Sequence, residues 1–546
     1  MAAAPPPGET SVRTGSAVAP GAAFGPYPAS DFRLTDGQCT DCPAIRQALW
    51  YFRQETIAVP KAGLPVASFA TGVAPVDDLR AWLAGRPPGA PPEYPPLVWV
   101  AAPDVITGAR LAADATSLEH ASGTLPASLT PKIALNRSYF DAASAAFFHC
   151  RSVRVRGRID DGTIVMRTLW PEDFRLDPAP PAQHLAAAMP AAAALRALMR
   201  SEPAGGAKSP FAASTLWQRD PSRDPAPPGR AVLGLMVNGA QGDDDEAHAG
   251  HFAIVTGRTR EDGAIGDWLV NNFYTLDSES EKGILAAPVP LDNYLADLNS
   301  GQGWYRPSHM LVAVLAGEHA PALVQAALNR VYNQFWRHQL VYRHATMNCT
   351  GISVDVLRAL GWDVPARGPA SRIVAVLGFP FFAARERSVA KARIAFDYLT
   401  ADQTRLMPAA AFEEAGASLL ALVTGSGTPG NGALAGMLAS DAEALLFVRF
   451  PQFPSSRAFG DAPAVTVREF HSRVPAEPGL MQIVPVPARP FPAELHDADL
   501  LPAKRPASAY AAAIWGILLL VGIPIFIFHR WRRWRSRKLT APGEAD

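Results

Sequence analysis

One cysteine and one histidine in this sequence have the neighbours that nucleophilic chemistry requires. Cys349 lies in Asn348-Cys349-Thr350-Gly351-Ile352-Ser353-Val354-Asp355-Val356-Leu357. Ile352, Val356 and Leu360 recur every four residues, the spacing of a helix that buries one stripe. Gly361 and Pro365 give that helix its stop. The cysteine therefore stands at a helix N-terminus. A cysteine attacks as the thiolate, and unpaired amides with the helix dipole lower its pKa there. The same N–H groups can hold an oxyanion beside the sulfur.

The base must titrate near neutrality and be held rigidly, which fits histidine best. Gly250-His251-Phe252-Ala253-Ile254-Val255-Thr256-Gly257 reads as a short strand that begins with one. His251, Ala253 and Val255 share a face; Phe252, Ile254 and Thr256 share the other. A third polar group usually orients the imidazole. Asn272 on the next strand is expected to do so, or Asn271 if the register differs. Tyr342 and Asn348 are further candidates for orienting or oxyanion roles. No cofactor is implied. A metal site from His248, His251 and the acidic run Asp243-Asp244-Asp245-Glu246 is disfavoured, because residues three apart on a strand point to opposite faces.

These residues need a scaffold. Ala231 to Val237 reads as a buried strand, Asp267 to Tyr274 as another, and Ala322 to Tyr342 as a helix before the cysteine. Upstream, Ala44 to Ile57 looks helical. Ser152 to Leu169 looks like a hairpin about Asp160-Asp161-Gly162, and its alternating arginines are expected on a wet face. Ala182 to Arg200 is expected to be helical, broken by Pro190. Glu202 to Gly229 is rich in Pro, Gly and Ser and reads as a linker. Downstream, Ile394 to Leu399 and Ala409 to Val423 look helical, and Leu445 to Phe450 and Ala464 to Phe470 look like strands.

The chain has 546 residues, too many for one ordinary core. Basic and acidic residues balance at 50 each, so no global field points to nucleic acid. Four cysteines are too few for a disulfide scaffold. Cys39 and Cys42 form a lone CxxC, read as a disulfide or two separate thiols. Zinc would need four ligands, which only His149-Cys150 could complete. Residues 1–30 read as a disordered arm, and they lack the apolar run of a secretory signal. From Ala509 to Phe528 no charge occurs, about the length of a bilayer-spanning helix. The basic, aromatic run from His529 to Lys538 follows it, as at a headgroup boundary.

The expected organisation is a disordered arm over 1–30, an α+β accessory region over 31–229, a catalytic domain over 230–365, a second accessory region over 366–508, a transmembrane helix over 509–528 and a basic tail over 529–546. The positive-inside rule slightly favours a soluble body outside the cytoplasm, in the periplasm or beyond, while the lack of an export signal leaves as the alternative an anchor inserted tail-first with the body in the cytoplasm.

The His-Phe-Ala-Ile-Val-Thr-Gly strand resembles the His-Trp-Ala-Ile-Tyr-Val-Gly strand of lecithin–retinol acyltransferase-like proteins. Asn348-Cys349 opening a helix resembles their Asn-Cys box. Both belong to the circularly permuted papain-like cysteine hydrolases, related to NlpC-type amidases, in which His precedes Cys. Gly250-His251, Asn272-Phe273, and Tyr342 ahead of Asn348-Cys349-Thr350 also resemble an uncharacterised bacterial membrane-associated family of that superfamily. The resemblance spans about residues 230 to 365. It departs from the acyltransferases in having Asn where they carry a second His.

The resemblance implies an α+β fold with a permuted papain-like core, an antiparallel sheet plus the nucleophile helix, here flanked by accessory regions and one C-terminal transmembrane helix. It implies a membrane-anchored hydrolase or acyltransferase cleaving an amide, ester or thioester through Cys349 and His251. The anchor would bring a lipid, lipoprotein or envelope polymer within reach. The alternative is a non-catalytic, membrane-anchored binding module on the same core.

Overall fold

The computed structural model describes residues 23–87, 89–131, 140–178, 190–200, 209–239, 250–276, 283–426, 432–454, 472 and 490–498. Near the N-terminus β1 (Phe32–Asp36), β2 (Thr56–Pro60) and β3 (Val98–Ala101) form an antiparallel sheet. Then β4 (Asp104–Leu111), β5 (Ser117–His120), β6 (Gly123–Leu129), β7 (Val153–Asp160) and β8 (Thr163–Pro171) close into a small barrel. The β7–β8 hairpin turns at Asp161 and Gly162, both with positive φ.

The central sheet is built from β9 (Ala212–Gln218), β10 (Ala231–Asn238), β11 (His251–Arg258), β12 (Leu269–Asn272), β13 (Ala287–Pro290), β14 (Ser308–Leu315) and β15 (Ala442–Phe450). Its seven strands run in the order β9-β15-β14-β10-β11-β12-β13, antiparallel throughout. All of β10 and β14 is buried. This suits apolar runs such as Ala-Val-Leu-Gly-Leu-Met-Val, which have no polar face to offer water.

Six helices matter most to the site: α1 (Leu291–Ala296), α2 (His319–Trp336), α3 (Cys349–Ala359), α4 (Arg372–Arg385), α5 (Val389–Thr400) and α6 (Pro408–Thr424). Nearly all of α2 is buried, and it packs on α3 and on the β10–β11 pair. α6 crosses the same strands. In contrast, α4 and α5 pack chiefly on each other.

Several expectations are corrected. Ala44 to Ile57 is not one helix: Arg46–Tyr51 is helical, and Ile57 lies in β2, where it is fully buried. The stretch expected as a linker, 202–229, holds β9, which pairs with β15 from the region expected to be accessory. The arginines of β7 do not form a wet face. Arg154 and Arg156 are tucked against Asp267 and Asp292, with Arg156 Nε 2.8 Å from Asp292 Oδ2 and Arg154 Nη2 2.5 Å from Asp267 Oδ1. Burial is tolerated because each charge meets an opposite one. These pairs dock the barrel onto α1. Of the expected arm, residues 23–28 form a tight two-stranded turn with Tyr27 buried.

The single-span architecture is also corrected. Among the described residues no helix is long and apolar enough to cross a membrane, and the fold they form is mixed α/β. The expected span, 509–528, lies outside them, as do Ala464 to Phe470, the acidic run 243–246 and His248.

Candidate active site

The site forms where the start of β11 meets the N-terminus of α3. Gly250 has φ +83, a left-handed conformation that suits glycine, and it turns the chain into the strand on which His251 is the first residue. Residues 343–347 make a tight loop, closed by Arg343 and Met347 in mutual backbone hydrogen bonds, and this delivers Asn348 to the helix start. Asn348 is the N-cap. Its Oδ1 accepts from the Thr350 and Gly351 amides at 3.0 and 3.1 Å. Its Nδ2 donates to the carbonyls of His344 and Leu406. Asn348 is thereby engaged in holding the helix, and it also lines the cleft.

Cys349 follows as the first helical residue, 3 % exposed, beside His251 at 5 %. Burial alone would push the thiol up. The His251 imidazole overrides this through its charge and a hydrogen bond. The Phe252 amide and the Thr350 hydroxyl add to the effect, and the thiol falls from an ordinary 9.0 to about 6. The Thr350 Oγ1 lies 3.8 Å from Sγ. A neutral-pH thiolate is what nucleophilic attack requires.

Tyr342 sits against the same residue. Burial, and then the nearby Cys349 thiolate, push its ionisation well above the usual phenol range. Part of its ring still faces the cleft. The Cys349 N–H at the helix start and the Tyr342 side chain lining the same cleft are the groups nearest the place where an oxyanion would form during attack. Tyr398 of α5 stands nearby, its hydroxyl raised to about 12 by burial and by Cys349. Tyr274, Tyr342, His344, Tyr398, Leu406 and Pro408 line the cleft around His251 and Cys349. The cavity left between them is about 30 Å³, room for a few waters.

The two asparagines part company. Asn271 pairs in register with Ile254 and donates to its carbonyl at 3.1 Å, while its side chain exchanges two hydrogen bonds with Gln325 of α2. It is spent on anchoring that helix. Asn272 continues the register opposite Ala253, on the strand face that carries His251. Its Nδ2 donates to the Leu285 carbonyl at 3.3 Å. Its Oδ1 and the Nε2 of His251 are both buried without a hydrogen-bond partner among the described residues.

Behind His251 lies a further polar layer that sequence reading missed. Asn238 is the direct ladder partner of His251. Its Nδ2 donates to Ser308 Oγ at 2.6 Å, and its Oδ1 accepts from the Tyr294 hydroxyl. The Tyr294 ring centre is 6.2 Å from that of His251. Asn238, as the polar end of an otherwise apolar strand, was the visible signal. Tyr294 and Tyr398 gave none, because their elements join the site only in three dimensions.

Cys39 and Cys42 are joined in a disulfide, and His149 is bonded through Nδ1 to the Leu111 carbonyl. Cys150 is free and exposed. Among the described residues no cluster of three or more His, Cys, Asp and Glu has the geometry to hold a metal ion. No protein-family model, no curated protein and no solved structure matches this chain.

Proposed function

We propose that the chain is a cysteine hydrolase or acyltransferase acting on an amide, ester or thioester, of the kind its His and Asn-Cys motifs resemble. The observation that carries this reading is the placement of buried Cys349 as the first residue of α3 beside buried His251, which draws the thiol down against the effect of burial. A structural cysteine at such burial would be pushed the other way.

In the proposed cycle the Cys349 thiolate adds to the substrate carbonyl carbon, and the carbonyl π electrons move to oxygen. The Cys349 N–H and the Tyr342 hydroxyl take up that oxyanion. Protonated His251 gives its proton to the leaving nitrogen, oxygen or sulfur as the bond to carbon breaks, leaving a thioester on Cys349. Water or another acceptor then attacks the thioester, losing its proton to His251, and the sulfur departs as thiolate. Asn272 would accept from the His251 ring in this cycle. That contact is open in the free protein, and catalytic hydrogen bonds often tighten only with substrate bound.

The test is an acyl-transfer assay with chromogenic esters and acyl thioesters, read together with intact mass. A burst of product with an acyl adduct on Cys349, abolished by Cys349→Ala and strongly reduced by His251→Ala, is expected. An unmodified, slowly alkylated Cys349 across the substrate panel would instead mark the core as a binding module.

A further inference from the structure

We propose that the α4–α5 hairpin is an interfacial binding surface for an anionic lipid bilayer, at the rim of the Cys349 cleft. This goes beyond the proposed chemistry and stands whether or not Cys349 is catalytic.

Exposed large apolar side chains are concentrated here. Among the described residues seven stand out: Val341, Ile373, Val374, Leu377, Phe381, Val389 and Ile394. All except Val341 are on α4 or α5. Ile373, Leu377 and Phe381 recur every four residues along α4, so they form one outward ridge, with Phe381 63 % exposed and Ile373 74 %. The opposite side of α4 is apolar too: Ala375, Val376 and Phe379 pack against Phe396 and Leu399. A helix apolar on both sides is normally covered on both sides. Here one side has α5, and the other faces solvent.

The charge around the ridge selects the partner. Arg372, Arg385, Arg387 and Lys391 are exposed on the hairpin, against Glu386, which meets Arg385 and Lys391 at 3.6 and 3.3 Å. A basic collar around an apolar ridge matches anionic headgroups over acyl chains, in which such helices lie parallel to the surface. An apolar protein groove would satisfy the ridge but leave the collar without a counterpart. The position also fits. Tyr398 of α5 lines the cleft, and Val341, on the other rim, adjoins Tyr342. The hairpin that would meet the bilayer thus also supplies one residue of the cleft wall.

The test uses the full chain and hydrogen–deuterium exchange resolved by peptide. Vesicles of phosphatidylcholine alone are compared with vesicles containing phosphatidylglycerol. The expected result is severalfold slower exchange over 372–400 with the anionic vesicles, little change with the neutral ones, and weakening at high salt. In Leu377→Asp/Phe381→Asp the protection should vanish, with the thermal unfolding midpoint and Cys349 labelling in vesicle-free buffer kept. Vesicle binding that leaves 372–400 unprotected, or no binding at all, would overturn the proposal. So would equal protection by neutral vesicles, or protection that appears without vesicles as protein concentration rises, the mark of self-association.

Discussion

Replacing His251 with alanine removes the group that holds the Cys349 thiol down. Burial is then opposed only by the Phe252 amide and the Thr350 hydroxyl, so the ionisation midpoint should move from about 6 to near the free-thiol value of about 8.5. At 1.36 kcal/mol per unit this is a loss of roughly 3 kcal/mol of preference for the thiolate. The consequence for rate depends on pH. At pH 7 the thiolate fraction falls from about nine-tenths to about three-hundredths, roughly 30-fold, but the more basic thiolate is intrinsically about tenfold more nucleophilic. Alkylation at pH 7 should therefore slow only about threefold. At pH 5.5 the fractions are about one in four and one in a thousand, and the net loss is about 20-fold. The sign is that of a depressed acid: labelling of the wild type rises as pH climbs through about 6 and is flat above it. The assay is iodoacetamide labelling across pH 5 to 10, resolved by peptide so that the exposed Cys150 is followed separately. His251→Gln keeps the bulk of the ring and controls for collapse of the site. A wild-type midpoint of 8 or more, or a variant midpoint still near 6, would refute the reasoning.

Tyr342→Phe removes one proposed oxyanion donor and should lower kcat on an acyl thioester about 100-fold with KM little changed, while the labelling midpoint stays low; an unaltered kcat would assign the donor elsewhere. Asn348→Ala deletes the cap of α3 and its ties to His344 and Leu406, costing about 1–2 kcal/mol, read as a lower urea midpoint with unchanged slope. An unmoved urea midpoint would show that the cap carries little. Asp292→Ala removes the nearer carboxylate of Arg156 and leaves Asp267 to serve both arginines, so it should destabilise by about 2–3 kcal/mol, less than stranding a buried charge outright; thermal unfolding indistinguishable from wild type would mean that the barrel does not depend on these pairs.

Strands and helices whose apolar period is strong were legible in the sequence. Ala231–Asn238, His251–Arg258 and Cys349–Ala359 follow directly from runs of buried residues and a cap. Partnership between distant segments was not. Nothing in the residues 202–229 announces that β9 will pair with β15, because pairing is decided by which edge β15 leaves open. The β7 arginines misled for the same reason. Alternation of charge along a strand marks a wet face only if no carboxylate waits opposite, and Asp267 and Asp292 come from other parts of the fold.

The site divides along the same line. A helix N-terminus, a capping amide and a strand-initial histidine are local, and the sequence displays them. The role of each asparagine is a matter of register. One step along β12 separates Asn271, bound to Gln325, from Asn272, whose Oδ1 lies unpartnered on the face of His251. Only the pairing of Ile254 with Asn271 tells them apart. If His251 Nε2 and Asn272 Oδ1 close on each other when substrate enters, Asn272→Ala should lower kcat more than it alters labelling of the free thiol, because the contact is absent until the cleft is filled. An equal fall in both would mean that Asn272 acts on the resting site, through the packing at Leu285, and not on the imidazole during turnover.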